Sequence, residues 1–172
     1  MPLIVHKYGG TSMGSPERIR NVAKRVAKWA RAGHQMVVVP SAMSGETNRL
    51  LALAKELAPS RVSPAYHREL DMLAATGEQA SSALLAIALQ AEGMESVSYA
   101  GWQVPIRTDS SYTKARIESI DDQRVRADLN AGKVVIVTGF QGIDEQGHIT
   151  TLGRGGSDTS AVAVAAAMKA HE

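Results

Sequence analysis

Leu3-Ile4-Val5-His6-Lys7-Tyr8-Gly9-Gly10-Thr11-Ser12 opens the chain with a short β-prone run halted by two glycines. This reads as a buried strand ending in a glycine turn. A helix start follows at once: Ser15 is a capping residue, Pro16 suits the first helical position, and Ile19, Val22, Ala23, Val26, Ala27 and Ala30 recur at helical spacing as far as Gly33. Val37-Val38-Val39 then forms a second apolar strand. A strand, a helix and a second strand in that order point to an α/β architecture with a mostly parallel sheet and helices on both faces.

The remaining chain extends this alternation. Ser41 to Thr47 is a loop of small residues before the helical pattern of Leu50, Leu51, Leu53, Ala54 and Leu57, and Pro59 to Pro64 breaks that pattern. Leu70, Leu73, Ala74, Gly77, Ala80, Leu84, Leu85, Ala88 and Leu89 mark a long helix or a kinked pair, closed by Gly93. Val97 to Ile117 reads only as short strands and turns. A short helix around Asp122 to Asn130 precedes the strand Val134-Val135-Ile136-Val137, and Asp144-Glu145-Gln146-Gly147 is a hairpin turn. Ser157 is placed to cap a final helix, Asp158 to about Lys169, whose Ala and Val content all round predicts burial.

The length of 172 residues and 44% hydrophobic content suit one compact domain with a core. Nineteen basic against 17 acidic residues leave a net charge of +2, without the basic block of a nucleic-acid binder. There is no cysteine, hence no disulfide, thiolate metal site or Cys nucleophile, which fits a cytoplasmic setting. No signal segment or apolar run of membrane-spanning length is evident, so neither a membrane nor a nucleic acid is expected as partner. The five histidines are too dispersed for a metal site, and none is expected.

Three loops carry possible chemistry. In the first, Gly9 and Gly10 allow backbone N–H groups close to an anion and Lys7 adds a compact charge, although a solvated strand-end lysine beside an ordinary turn has the same pattern. Neither a Walker A sequence nor a GxGxxG fingerprint is present. In the second, Gly153-Arg154-Gly155-Gly156-Ser157-Asp158 runs into a helix N-terminus, where free N–H groups and the dipole favour an anion and Arg154 can grip a carboxylate. A simple capped helix is the plainer reading, but it does not require Arg-Gly-Gly. The third, Ser41-Ala42-Met43-Ser44-Gly45-Glu46-Thr47-Asn48, offers hydroxyls and backbone donors, a common composition for strand-to-helix turns. Glu78 follows the mid-helix Gly77, which costs about 1 kcal/mol relative to Ala and so implies a close approach. Glu78 is then either a receiver of a ligand ammonium or a solvated helix glutamate. If all three loops lie at the carboxyl edge of one sheet, they form an anion site suited to phosphoryl transfer.

Lys7-Tyr8-Gly9-Gly10-Thr11-Ser12, Ser41-Ala42-Met43 with Thr47-Asn48, Gly77-Glu78, Thr138-Gly139-Phe140 and Thr151-Leu152-Gly153-Arg154-Gly155-Gly156-Ser157-Asp158-Thr159 together resemble the aspartate kinases of the amino-acid kinase family, in order and over essentially the whole chain. The resemblance implies a three-layer αβα sandwich of the carbamate kinase-like type, with residues 1–172 as the N-terminal substrate-binding part. It implies transfer of the γ-phosphoryl group of ATP, with Mg2+, to the side-chain carboxylate of L-aspartate, opening lysine, threonine and methionine synthesis. Lys7 would neutralise the transferring phosphate and Asp158 would organise the reacting groups. Tyr8, Gly9, Gly10 and Ser41 would lie on the ATP side, and Thr47, Glu78, Arg154, Gly155, Gly156 and Ser157 on the aspartate side.

Two departures accompany the likeness. The family's later nucleotide-binding segment and its regulatory ACT domains have no counterpart among these residues, so the fold is expected to be incomplete at its C-terminus and the isolated chain inactive. The full-length enzyme would be a homo-oligomer. The alternatives are another family member acting on glutamate, acetylglutamate or a nucleotide monophosphate, or a non-catalytic amino-acid-binding or assembly fragment.

Overall fold

A computed structural model describes residues 1–60, 62–153 and 155–172. In chain order the elements are β1 (Leu3–Tyr8), α1 (Pro16–Arg31), β2 (Gln35–Pro40), α2 (Glu46–Leu57), α3 (Pro64–Ala91), β3 (Ser96–Tyr99) and β4 (Ile106–Thr108). They continue with β5 (Ile117–Ile120), α4 (Gln123–Asn130), β6 (Val134–Val137), β7 (Gln141–Ile143), β8 (Ile149–Thr151) and α5 (Gly156–Met168).

The four strands β1, β2, β6 and β3 form one sheet in the spatial order β1-β2-β6-β3, and every pairing in it is parallel. Alternation along each strand divides the core. Ile4, Met36, Val38, Val134 and Ile136 face one layer, where they meet Val22 and Val26 of α1 and Leu85 and Leu89 of α3. Leu3, Val37, Val39, Val135 and Val137 face the other, against Val125 and Leu129 of α4 and Ala161, Val164 and Met168 of α5. The result is the αβα sandwich expected of an apolar parallel sheet covered on both faces. The last residues also lie along the edge of β1, where His171 N–H donates to the Leu3 carbonyl at 2.8 Å.

Several local expectations change. The long helical pattern is one helix of 28 residues, α3, with Ser63 as its N-cap and Pro64 in its first turn. It is long and apolar enough to cross a membrane by length and composition, contrary to the sequence reading, but half of its apolar window is buried within the fold. Asp71 and Glu78 lie in its buried face. Ser157 does not cap α5: the helix begins at Gly156, two residues before the expected start, behind a left-handed Gly155 at φ 78°. Nor is α5 buried all round, since Val162 is exposed on its outer side. The segment read as short strands and turns supplies the edge strand β3 to the parallel sheet and β4 to a second sheet, in the order β5-β4-β7-β8. That sheet pairs antiparallel at β4–β5 and β7–β8 and parallel at β4–β7.

Candidate functional site

β1 and β2 end side by side, with Tyr8 opposite Pro40, and the Ser41 N–H donates to the Tyr8 carbonyl at 2.8 Å. The loops that follow therefore leave the sheet together. The glycine loop before α5 arrives from β8 in the second sheet and not from the parallel sheet, as the alternation had implied, yet it reaches the same edge. The Ser41 and Ser157 hydroxyls lie 2.8 Å apart across the junction. Between the loops is a cleft of about 380 Å³ lined by Gly10, Thr11, Ser41 to Gly45, Thr47, Asn48, Glu78, Phe140, Gly153 and Gly155 to Ser157.

Two helices point their N-termini into this cleft. Both α2 and α5 start behind a left-handed glycine, Gly45 and Gly155, and neither has a side-chain cap. Glycine takes that backbone conformation without strain, and it leaves the first-turn N–H groups without a competing side-chain acceptor. Thr47 and Ser157 lie in those first turns. Two sets of free donors and two positive dipole ends make the rim a receptor for carboxylate or phosphate oxygens. On the third side, Gly10, Thr11 and Ser12 donate no backbone N–H to another backbone group among the described residues.

Lys7 points to the α5 face of the sheet because it shares parity with Leu3 and Val5. Its Nζ lies 3.0 Å from Oδ1 of Asp158 in the first turn of α5, with the side chains 30% and 69% exposed. An ion pair this open contributes only about 0–1 kcal/mol to stability, so its geometry matters more than its energy: the carboxylate holds the ammonium at the cleft. The same ammonium lies over Gly9, where an added Cβ would be 3.2 Å from Nζ.

The floor is different in kind. Glu78 on α3 is 4% exposed, and its Oε1 accepts a 3.4 Å hydrogen bond from the Ala42 N–H while Oε2 is buried without any partner. Burial pushes its carboxyl up from 4.5 to about 7. A buried acceptor with one free oxygen facing a polar cleft suits a ligand cation. Larger hollows exist, about 440 Å³ beside Arg18, Asn21 and Arg25, about 420 Å³ beside Gln90, Met94 and Lys133 and about 690 Å³ beside the outer face of α5, but among the described residues none of them is lined by a buried unpaired group. Gly77 admits the loop that Glu78 holds, because a Cβ there would lie 3.1 Å from that of Ala42.

Of the residues proposed from sequence, Gly10, Ser41, Thr47, Glu78, Gly155, Gly156 and Ser157 line the cleft directly. Lys7 and Asp158 pair beside it, and Gly9 lies beneath the ammonium. The Tyr8 side chain turns to the α1 face, with its hydroxyl 3.3 Å from His6 Nδ1. Arg154 lies outside the described residues. Phe140 has no role that the sequence motif implies, yet it is structural to the site. It holds φ 72°, its N–H donates to Ser160 Oγ at 3.0 Å, and its ring packs so tightly on Gly156 that a Cβ there would come within 2.5 Å. Only the glycines around it, Gly139 and Gly156, hinted at such crowding in the sequence.

The amino acid kinase family model matches residues 2–172. An aspartate kinase of Pseudomonas fluorescens (strain SBW25) is 61% identical over 172 residues, covering all of this chain and 41% of that protein. The crystal structure of aspartate kinase from Synechocystis superposes with a TM-score of 0.79 at 45% identity, covering 99% of this chain and 27% of the other. Escherichia coli aspartokinase III in complex with aspartate and ADP superposes with a TM-score of 0.85 at 26% identity, covering 99% and 47%. The chain thus spans about two fifths of the length of the curated relatives it matches, 41% for the Pseudomonas enzyme.

Proposed function

The chain belongs to the amino acid kinase family, and from that membership we propose that residues 1–172 are the substrate-binding part of an aspartate kinase, the part that holds L-aspartate for phosphorylation by ATP. The observation that carries the choice of substrate is Glu78, a buried carboxylate with one oxygen free, at the floor of a cleft rimmed by two uncapped helix N-termini. An amino acid with two carboxylates matches that pattern of charge. Its ammonium would sit on Glu78, and its carboxylates would take the N–H groups of α2 and α5, with Thr47, Gly155, Gly156, Ser157 and Arg154 around them.

The chemistry asks little of a base. A side-chain carboxylate is already ionised at neutral pH, so one of its oxygens attacks the γ-phosphorus directly. The bond from that phosphorus to the β,γ-bridging oxygen breaks, and ADP leaves with the electron pair. What the transition state needs is in-line positioning and positive charge around the phosphoryl oxygens. Lys7 supplies that charge, and Asp158, at 3.0 Å, keeps it aimed. Gly9, Gly10 and Ser41 would meet the phosphates of the nucleotide. Mg2+ enters with ATP as MgATP. Among the described residues no group of three or more His, Asp or Glu is arranged to hold a metal ion by itself. A cytoplasmic, homo-oligomeric complete enzyme goes with this reading.

Calorimetric titration of the chain with L-aspartate, L-glutamate and MgATP tests it. Saturable binding of L-aspartate in preference to L-glutamate is expected. Absence of L-aspartate binding at millimolar concentration, or a preference for L-glutamate, would refute the assignment of substrate.

A further inference from the structure

Asp71 lies on the buried face of α3, 1% exposed and outside the cleft. Its carboxylate receives the Thr113 N–H on both oxygens, at 3.1 and 3.0 Å, the Thr151 N–H at 2.9 Å and the Thr151 hydroxyl at 2.6 Å. Thr151 is the last residue of β8, and the chain passes from it through Leu152 into the glycine loop and α5. Asp71 therefore fastens that loop at its root to α3. Glu78 is seven residues further along the same helix, which is about two turns and about 10 Å of rise, on nearly the same face.

Other polar groups of α3 hold the remaining loops. Ser81 Oγ donates to the Ser41 carbonyl at 2.7 Å, and Ser82 Oγ accepts from Thr138 Oγ1 at 3.1 Å. The Ala75 carbonyl accepts from Gln141 Nε2 at 2.9 Å. One rigid helix thus carries the group facing the ligand and the anchors of the loops opposite it. Among those anchors Asp71 is the only carboxylate besides Glu78 itself, and its four contacts use both oxygens, a demand that a carboxamide cannot meet because its NH2 would oppose a donor.

We propose that Asp71 is a positioning residue: by tying Thr151 to α3 it fixes the offset between Glu78 and the glycine loop, and so sets the length of dicarboxylate the cleft accepts. The proposal rests on the amino-acid reading of the cleft given above. A residue that merely filled a buried hole would affect stability alone. A residue that sets an offset must also affect the loop's own protection and the choice between two ligands differing by one methylene.

The test uses the isotopically labelled chain and follows amide hydrogen exchange together with titration by L-aspartate and by L-glutamate. Asp71→Asn is compared with Asp144→Asn, a control carboxylate equally buried that accepts from the N–H groups of Gln146 and His148 and from the hydroxyls of Ser110 and Tyr112, none of which adjoins the glycine loop. Asp71→Asn is expected to speed exchange at Thr151, Gly153 and Gly155 to Ser157 at least tenfold relative to β2, and to cut the preference for L-aspartate over L-glutamate at least tenfold. Asp144→Asn should do neither. If Asp71→Asn does not fold, Thr151→Val removes one donor while keeping the shape, and should move both readouts in the same direction by about threefold. Unchanged loop exchange in the Asp71 variant, or equal effects from the Asp144 variant, overturns the proposal. Failure of the unaltered chain to bind L-aspartate would instead overturn the substrate reading, and loop exchange would still decide the role of Asp71.

Discussion

Replacing Glu78 by Gln should make the protein relatively more stable as the pH rises, by an amount that follows from its burial. The Glu78 carboxyl is pushed up from 4.5 to about 7 because burial penalises its charged form. Between those values the folded chain holds a proton that the unfolded chain has released. Folding stability therefore falls as pH rises through that window, and the whole penalty is in place above pH 7. At about 1.4 kcal/mol per pH unit, the interval amounts to about 3 kcal/mol. Glutamine keeps the oxygen that accepts from Ala42 and carries no charge. Its NH2 is left without an acceptor, at a cost of about 1–3 kcal/mol that does not depend on pH. The stability difference, variant minus unaltered chain, should therefore climb by about 3 kcal/mol from pH 4.5 to pH 8, whatever its starting value. Urea denaturation at half-unit intervals of pH measures it. A difference constant across that range would show that Glu78 is ionised in the fold already at low pH, and the argument from its free oxygen would collapse. In the same variant L-aspartate binding should be lost. In the unaltered chain that binding should weaken about tenfold per pH unit below 7, because the ligand ammonium requires the ionised carboxylate.

Lys7→Ala should cost under about 1 kcal/mol in denaturant midpoint analysis, since its partner Asp158 is largely exposed. In the complete enzyme the same change should reduce kcat at least a hundredfold while leaving the KM for aspartate within a few-fold. Gly142→Ala should destabilise by about 2–3 kcal/mol, because its Cβ would fall 2.5 Å from the Ile106 carbonyl, whereas Gly132→Ala meets nothing within 4 Å and should lose only about 1 kcal/mol, for its left-handed backbone. Ser41→Ala should cost about 1 kcal/mol by removing the hydroxyl that links it to Ser157. It should also speed exchange of the amides at the start of α5.

The sequence disclosed β1, β2 and β6 of the parallel sheet because each is specified locally, whereas its edge strand β3, Ser96–Tyr99, alternates polar and apolar residues and did not stand out. Val37-Val38-Val39 and Val134 to Val137 are apolar on both faces, as a strand between two helical layers must be, and Ser15-Pro16 marks the start of α1 by its own chemistry. The second sheet has no such local mark. β4 and β7 are three-residue strands that pair across 36 positions, from Arg107 to Ile143, and their register depends on Gly101 and Gly142 admitting neighbouring backbone. Ser157 was misread as a cap because cap preference weighs side chains, whereas Gly155 begins the helix by conformation alone. Asp71 was invisible for a related reason: an aspartate within a helix reads as solvated until the partners from residues 113 and 151 are known. Lys7 and Glu78 were legible as candidates because each breaks a local pattern, the lysine on an apolar parity and the glutamate beside a mid-helix glycine.

Stability and site geometry oppose each other at two residues, and in the same direction. A bulky residue at positive φ such as Phe140 costs about 1–3 kcal/mol, and an unpaired buried oxygen such as Oε2 of Glu78 costs a similar amount. Each kind of defect also occurs away from the cleft, at His34 Nδ1 and at the positive-φ residues Thr113 and Lys169. What distinguishes the cleft is that one of each lines it together, with two uncapped helix N-termini on the same rim. Each is also the kind of defect that a bound amino acid can offset: an ammonium pairs the free oxygen, and carboxylates take the free N–H groups, while Phe140 holds Gly156 where those groups converge. A ligand that binds only the folded state stabilises it by mass action. The cleft should therefore be the part of the molecule whose stability responds most to L-aspartate, and thermal shifts with that ligand should shrink in Glu78→Gln.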